Sequence, residues 1–223
     1  MHIQRGTTHP SCSVATALAL ALGLLAVATP ATAQGGVRLI PQVGLYVPLR
    51  DLGTVGSGGN AVDVARKEST LGLGLSVEFA ARQRVSFRVN GVYGTESGVP
   101  IGDIGCTACE ARSTVTVLTG SVVARPIPNL LIIQPYLQAG AGIKRYDFDD
   151  DAARQEGFGA FVSDQNVFTG QLGLGLELNV GLGRLLFELS DFISGVELGS
   201  DQLSGDSKLQ HDMFLTIGFA IGG

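Results

Sequence analysis

From Leu71 to Tyr93, large apolar side chains alternate with small or polar ones. Leu71, Leu73, Leu75, Val77, Phe79 and Ala81 hold every second position, and Gly72, Gly74, Ser76, Glu78 and Ala80 stand between them. After Arg82-Gln83-Arg84 the alternation resumes, with Val85, Phe87, Val89 and Gly91 set against Ser86, Arg88 and Asn90. A period of two sends the two sets to opposite faces of a β-strand, so the stretch predicts a hairpin. Each arm has the length, about 9–11 residues, that a strand needs to cross a bilayer. The apolar face is continuous and uncharged, whereas the opposite face carries Glu78, Arg88 and Asn90 among glycines. A soluble barrel turns its apolar face inward. Apolar outside with polar or small inside is the arrangement of a barrel in lipid.

The pattern recurs along the chain and divides it into eight strand-like stretches. The first, Arg38 to Val47, sets Leu39, Val43, Leu45 and Val47 against Gln42, Gly44 and Tyr46. The opening hairpin supplies the second and third. The fourth, Thr114 to Ala124, is rich in Val and Thr, and its facing is ambiguous, as a bulge would make it. In the fifth, Ile133 to Tyr146, Leu137, Ala139, Ala141 and Ile143 alternate with Tyr136, Gln138, Gly140, Gly142 and Lys144. Pro135 cannot donate to a ladder and is expected near that strand's start. The sixth alternates Leu172, Leu174, Leu176 and Leu178 with Gln171, Gly173, Gly175, Glu177 and Asn179; the seventh sets Leu185, Phe187 and Leu189 against Leu186, Glu188 and Ser190. The eighth sets Met213, Leu215, Ile217, Phe219 and Ile221 against Thr216, Gly218 and Ala220.

The connections carry an independent signal. Arg82-Gln83-Arg84, Arg125 to Asn129 and Gly181-Leu182-Gly183 are short, whereas Pro48 to Ser69, Thr95 to Ser113, Asp147 to Asn166 and Gly195 to Gln210 are long and polar. Strict alternation of short and long links is the habit of outer-membrane barrels, with short periplasmic turns and long outer loops. An even strand count then leaves both termini periplasmic. Leu71-Gly72-Leu73-Gly74-Leu75 also echoes Leu172-Gly173-Leu174-Gly175-Leu176, either as a faint internal repeat or because barrel strands look alike. The inward glycines are expected to relieve crowding where a small barrel curves tightly.

Composition narrows the class further. Beyond residue 33 no stretch is apolar for the length a membrane helix requires. Residues 1–33 resemble a secretory signal, with Arg5 as the basic start, an apolar core from Val14 to Val27, and Ala31-Thr32-Ala33 as the cleavage site. Residues 34–223 then form the barrel domain. The net charge of −5 in 223 residues becomes more acidic once Arg5 is removed, which argues against a nucleic-acid partner.

Candidate chemistry is sparse. Cys106 and Cys109, the cysteines left after cleavage, fall in a long outer loop; zinc would need a second ligand pair, so a local disulfide is the plain reading outside the inner membrane. His211 is the mature chain's one histidine, and no serine adjoins His211-Asp212 in sequence, so a structural rim residue is favoured over a catalytic one. Asp147, Asp149, Asp150 and Asp151 lack the spacing of a calcium loop and read as a solvated acidic segment. The glycine pairs lack the third glycine and the helix of a nucleotide site. No catalytic, cofactor-binding or metal residue is assigned. The interior charges are more informative: Glu78, Arg88, Glu177 and Glu188 all lie close to a short turn and form one predicted layer. Opposing Phe79 to Phe87 brings Glu78 across from Arg88; with Arg88 the one strand-borne cation for three carboxylates, at least one carboxylate is expected to be protonated or to recruit Arg184 or a water. An eight-stranded barrel is just wide enough to be filled by its own side chains, so these charges predict a plug.

The Pro135-Tyr136-Leu137 to Gly140-Ala141-Gly142 stretch running into Tyr146-Asp147-Phe148, together with the Leu-Gly-Leu-Gly-Leu strands, resembles the small OmpA-like outer-membrane β-barrel family. The resemblance implies an all-β, eight-stranded antiparallel up-and-down transmembrane barrel of a Gram-negative envelope. It implies a non-enzymatic role in envelope structure or surface interaction, with a narrow pore for small solutes as the alternative. The implied partners are outer-membrane lipid, lipopolysaccharide and the barrel-assembly machinery, with no cofactor. Two features depart from the family: the chain ends Phe219-Ala220-Ile221-Gly222-Gly223 rather than on an aromatic residue, and no peptidoglycan-binding domain follows the last strand.

Overall fold

A computed structural model describes residues 36–49, 53–55, 62–64, 68–82, 84–100, 110–127, 132–148, 164–181, 183–196 and 208–222. The signal segment, Cys106, Cys109 and Asp149 to Asp151 lie outside the described residues. The described elements are all strands: β1 Val37–Pro48, β2 Gly53–Val55, β3 Val62–Val64, β4 Thr70–Arg82, β5 Val85–Pro100, β6 Glu110–Ala124, β7 Ile133–Phe148, β8 Gln165–Asn179, β9 Arg184–Val196 and β10 Lys208–Gly222. Eight of them form a closed antiparallel barrel in the order β1-β10-β9-β8-β7-β6-β5-β4, sealed by pairing of β1 with β4. The pair β2–β3 is a separate small hairpin inside the long polar link after β1. Closure leaves no free sheet edge, the condition for backbone polar groups to be satisfied in lipid.

Several strands run past their expected ends. β5 continues to Pro100 and pairs there with a β6 that begins at Glu110, so this hairpin rises beyond the apolar band. β8 begins at Gln165, and β10 at Lys208. The short turns, Val37 and Gly222 share one end of the barrel, as the pairs Val37–Phe79 and Arg38–Gly222 show. In the β8–β9 turn Gly181 adopts φ 84°, a region glycine enters without a Cβ penalty, and the Val180 N–H donates to Gly183 O at 3.1 Å.

The apolar face looks outward. Leu71, Leu75, Phe79, Phe87, Val89, Leu137, Leu172, Leu174, Leu215 and Ile217 are exposed, whereas Ser76, Glu78, Arg88, Asn90, Gln138, Gln171 and Glu177 are buried. An exposed apolar belt of this extent on a protein with a polar interior is a lipid contact surface. Exposed Phe79, Phe87 and Phe187 ring its short-turn end, and Tyr93 and Phe168 its other end, as interfacial aromatic girdles do.

The fourth predicted strand, β6, is regular rather than bulged across Thr114 to Ala124. It pairs with β7 without a break from Ser113–Phe148 to Ala124–Leu137. The nearby register shift belongs to β5, between Gly94 and Ser97. Facing was hard to read because Val115, Val117 and Val123 point into the barrel while Leu118 and Val122 point out. Both faces are therefore apolar.

Candidate functional site

The barrel interior is the candidate site. Its charge layer begins where the pattern placed it, with Phe79 opposite Phe87 and Glu78 opposite Arg88. Arg88 reaches Glu78 Oε2 through Nη2 at 2.7 Å and Nε at 3.0 Å, and turns Nη1 across the lumen to Glu188 Oε2 at 2.6 Å. Glu188 also accepts from Tyr136 Oη at 2.6 Å, Gln138 Nε2 at 2.7 Å and Ser190 Oγ at 2.9 Å. Each of these oxygens therefore sits in a charge-assisted bond, which makes its burial tolerable.

Arg88 is not the one strand-borne cation of the layer. Arg38 on β1, Arg184 on β9 and Arg125, just beyond β6, converge on it as well. Arg125 binds Glu78 at 2.7 Å and Glu177 at 2.5 Å, and Arg38 bridges the same two carboxylates. Arg184 adds a bond to Glu177 at 2.9 Å. Glu177 and Glu188 take different partners, Glu177 binding Arg38, Arg125 and Arg184 and Glu188 binding Arg88. Arg88 and Arg125 also stack over the Tyr136 ring, 5.1 and 5.9 Å from its centroid.

A neutral layer follows. Asn90 accepts from Ser76 Oγ at 2.9 Å and donates to Ser121 Oγ at 3.0 Å and Gln171 Oε1 at 3.1 Å, while Thr119 donates to the same Gln171 oxygen at 2.6 Å. Toward the long-loop end comes a second charged layer. Asp212 Oδ2 accepts from Lys144 Nζ at 2.5 Å, Tyr46 Oη at 2.6 Å and Tyr146 Oη at 3.0 Å, all four side chains being buried. Sequence reasoning missed this layer because Asp212 was read with His211. Adjacent strand residues face opposite ways, so Asp212 points inward and His211 outward, where its Nδ1 meets Asp191 Oδ2 at 2.8 Å. The alternation places Tyr46 and Lys144 on the polar faces of their strands, and strand parity counted back from Thr216 adds Asp212 to that inward set.

The glycines of the Leu-Gly-Leu-Gly-Leu strands make this filling possible. A Cβ on Gly175 would lie 2.3 Å from the Tyr136 ring, one on Gly173 2.6 Å from Gln138 Nε2, and one on Gly72 2.3 Å from the Phe214 ring. Their role is to clear space for bulky interior side chains, more specific than the expected relief of strand curvature. Among the described residues no three His, Cys, Asp or Glu side chains converge as metal ligands would. Asp147 is engaged by Arg145 at 2.7 Å on the exposed surface.

No family model matches the chain, and no curated protein matches it. Among solved structures it is similar to the outer membrane protein OprG from Pseudomonas aeruginosa, at 15% identity and a TM-score of 0.51, over 85% of this chain and 98% of that one. Neisserial surface protein A is similar at 11% identity and a TM-score of 0.48, over 83% and 96% of the two chains. The N-terminal β-barrel domain of Pseudomonas aeruginosa OprF follows at 14% identity and 0.45, over 84% and 100%. The chain thus has the fold of the small eight-stranded outer-membrane β-barrels of Gram-negative type.

Proposed function

We propose that the protein is a closed, non-enzymatic barrel of the outer membrane that serves envelope structure or surface interaction through its outer loops. The observation that carries this reading is the double closure of the lumen. The arginine–glutamate layer spans it at the short-turn end, and the Lys144–Asp212–tyrosine cluster spans it toward the other. A filled lumen of this width holds ions in place instead of passing them. The hairpin of β5 and β6 beyond the belt, with Arg112 paired to Glu96 at 3.2 Å on its exposed surface, supplies a polar platform for contact. In this reading residues 1–33 are cleaved, both termini are periplasmic, the barrel-assembly machinery inserts the chain, and lipopolysaccharide surrounds its outer half.

Planar-bilayer recording tests the proposal. The purified wild type is expected to show no steady conductance. A large, stable, ohmic current would replace this reading with the narrow pore.

A further inference from the structure

The Asp191–His211 pair lies on the wrong side of the barrel for a charge. Its strand neighbours Ser190, Phe192, Gln210 and Asp212 are all buried inside, so alternation turns Asp191 and His211 to the lipid wall. Leu189 and Ile193 flank Asp191 along β9; Leu209 and Met213 flank His211 along β10. Across the ladder Asp191 stands beside Leu172 and Met213, and His211 beside Ile193. Phe187 marks the lower girdle on β9, and Phe168 marks the upper one on β8 beyond Leu172. The pair therefore sits inside the apolar belt. Ionisable side chains at such a depth are rare on a lipid-facing surface and ordinarily have a partner.

Within the chain the pair is incompletely satisfied. Asp191 Oδ2 binds His211 Nδ1, but Asp191 Oδ1 is covered and takes no hydrogen bond from a described residue. Bonding through Nδ1 also leaves the imidazole with Nε2 as a second polar atom. Beside the pair, a groove of about 560 Å³ runs along the outer wall, bounded by Leu137, Ala139, Leu172, Leu174, Leu189 and Asp191. Ala124, Ala139 and Gly173 in its walls allow close approach of another protein wall, and in lipid it is packing and polar contacts, not apolar burial, that drive association.

We propose that this face is the contact surface of a two-fold dimer of the barrel within the membrane. A patch that carries an acid and a base side by side is complementary to itself. A two-fold axis along the membrane normal places Asp191 against His211 of the partner subunit, and His211 against Asp191 of the partner subunit. The imidazole Nε2, open at the surface, gains a polar partner in the carboxylate across the axis, and both ionisable groups leave the lipid. The Leu side chains beside the groove of one copy find space in the groove of the other.

The test uses the whole protein, extracted from outer membranes and reconstituted in liposomes as separate donor- and acceptor-labelled populations. Wild type is expected to show energy transfer above random proximity that persists on lipid dilution. Asp191→Asn and His211→Gln, each still shifting its gel mobility on heating as a folded barrel does, are expected to weaken association about fivefold or more. The exchanged variant, Asp191→His with His211→Asp, regains self-association, since it too is self-complementary. Mixed with wild type it does not associate, because acid then meets acid and base meets base. Absence of transfer for wild type at every lipid ratio would overturn the proposal, as would single variants indistinguishable from it, or a monomer whose groove retains a lipid. The two single variants decide the matter even if the exchanged chain fails to insert.

Discussion

Replacing Arg88 with alanine removes a fully buried guanidinium from between two carboxylates, and their surroundings dictate where the damage falls. Glu78 keeps Arg38, Arg125 and the Ser86 hydroxyl, so it remains compensated. Glu188 keeps Tyr136, Gln138 and Ser190 but loses the cation that binds it at 2.6 Å. Stranding one member of a buried pair costs about 3–5 kcal/mol, and the remaining neutral donors to Glu188 place Arg88→Ala toward the lower part of that range. About 3 kcal/mol corresponds to roughly a hundredfold change in the folding equilibrium. The assay is urea unfolding in phospholipid vesicles, followed by tryptic protection and by the heat-dependent gel shift. The double variant Arg88→Ala/Glu188→Gln removes the stranded charge and is expected to recover more than half of the loss. Glu78→Gln in place of Glu188→Gln is expected to recover little. Conductance provides a second readout, since the same substitution opens space across the short-turn layer and is expected to admit a small leak. If Arg88→Ala unfolds at the wild-type urea concentration, or if both double variants recover equally, the assignment of Glu188 as the dependent carboxylate is wrong.

Three further outcomes follow from the architecture. Leu75→Arg puts a cation on the exposed apolar belt and is expected to cost about 2–4 kcal/mol if that position meets the bilayer midplane; Ser76→Thr, on the inward face, keeps its hydroxyl and is expected to be far milder, and equal stability of the two in liposome unfolding would reverse the facing. Gly175→Ala drives a methyl into the Tyr136 ring at 2.3 Å and is expected to destabilise by about 1–3 kcal/mol, with Gly175→Ala/Tyr136→Ser regaining space; an unchanged unfolding curve for the single variant would show that the ring moves freely. Cys106 and Cys109 are proposed to form a disulfide in an outer loop, so intact mass is expected to rise by about two hydrogens on reduction, and a double Ser variant is expected to insert normally. A mass unaltered by reduction counts against the bond.

Strand parity is a local property, and the sequence by itself determined everything that depends on it. Residues two apart share a face, so the outward belt of Leu71, Leu75, Leu137 and Leu172 and the inward set of Glu78, Arg88, Glu177 and Glu188 could be read without coordinates. Turn length fixed the register of the first hairpin, which is why the Glu78–Arg88 opposition was legible. Parity fails where both faces are apolar, as on β6, because Val115 and Val117 fill the lumen with the same chemistry that meets the lipid outside. It also says nothing about which inward residues meet across the lumen. That is set by strand stagger and barrel closure, which join β1 to both β4 and β10 and so bring Arg38 to Glu78 and Glu177, residues far apart in sequence. Tertiary structure alone decided that four arginines share three glutamates, that Asp212 gathers Lys144 and two tyrosines, and that Gly175 is small because Tyr136 lies over it. Each is a contact between side chains on different strands, where volume and charge must be satisfied by whatever closure brings opposite.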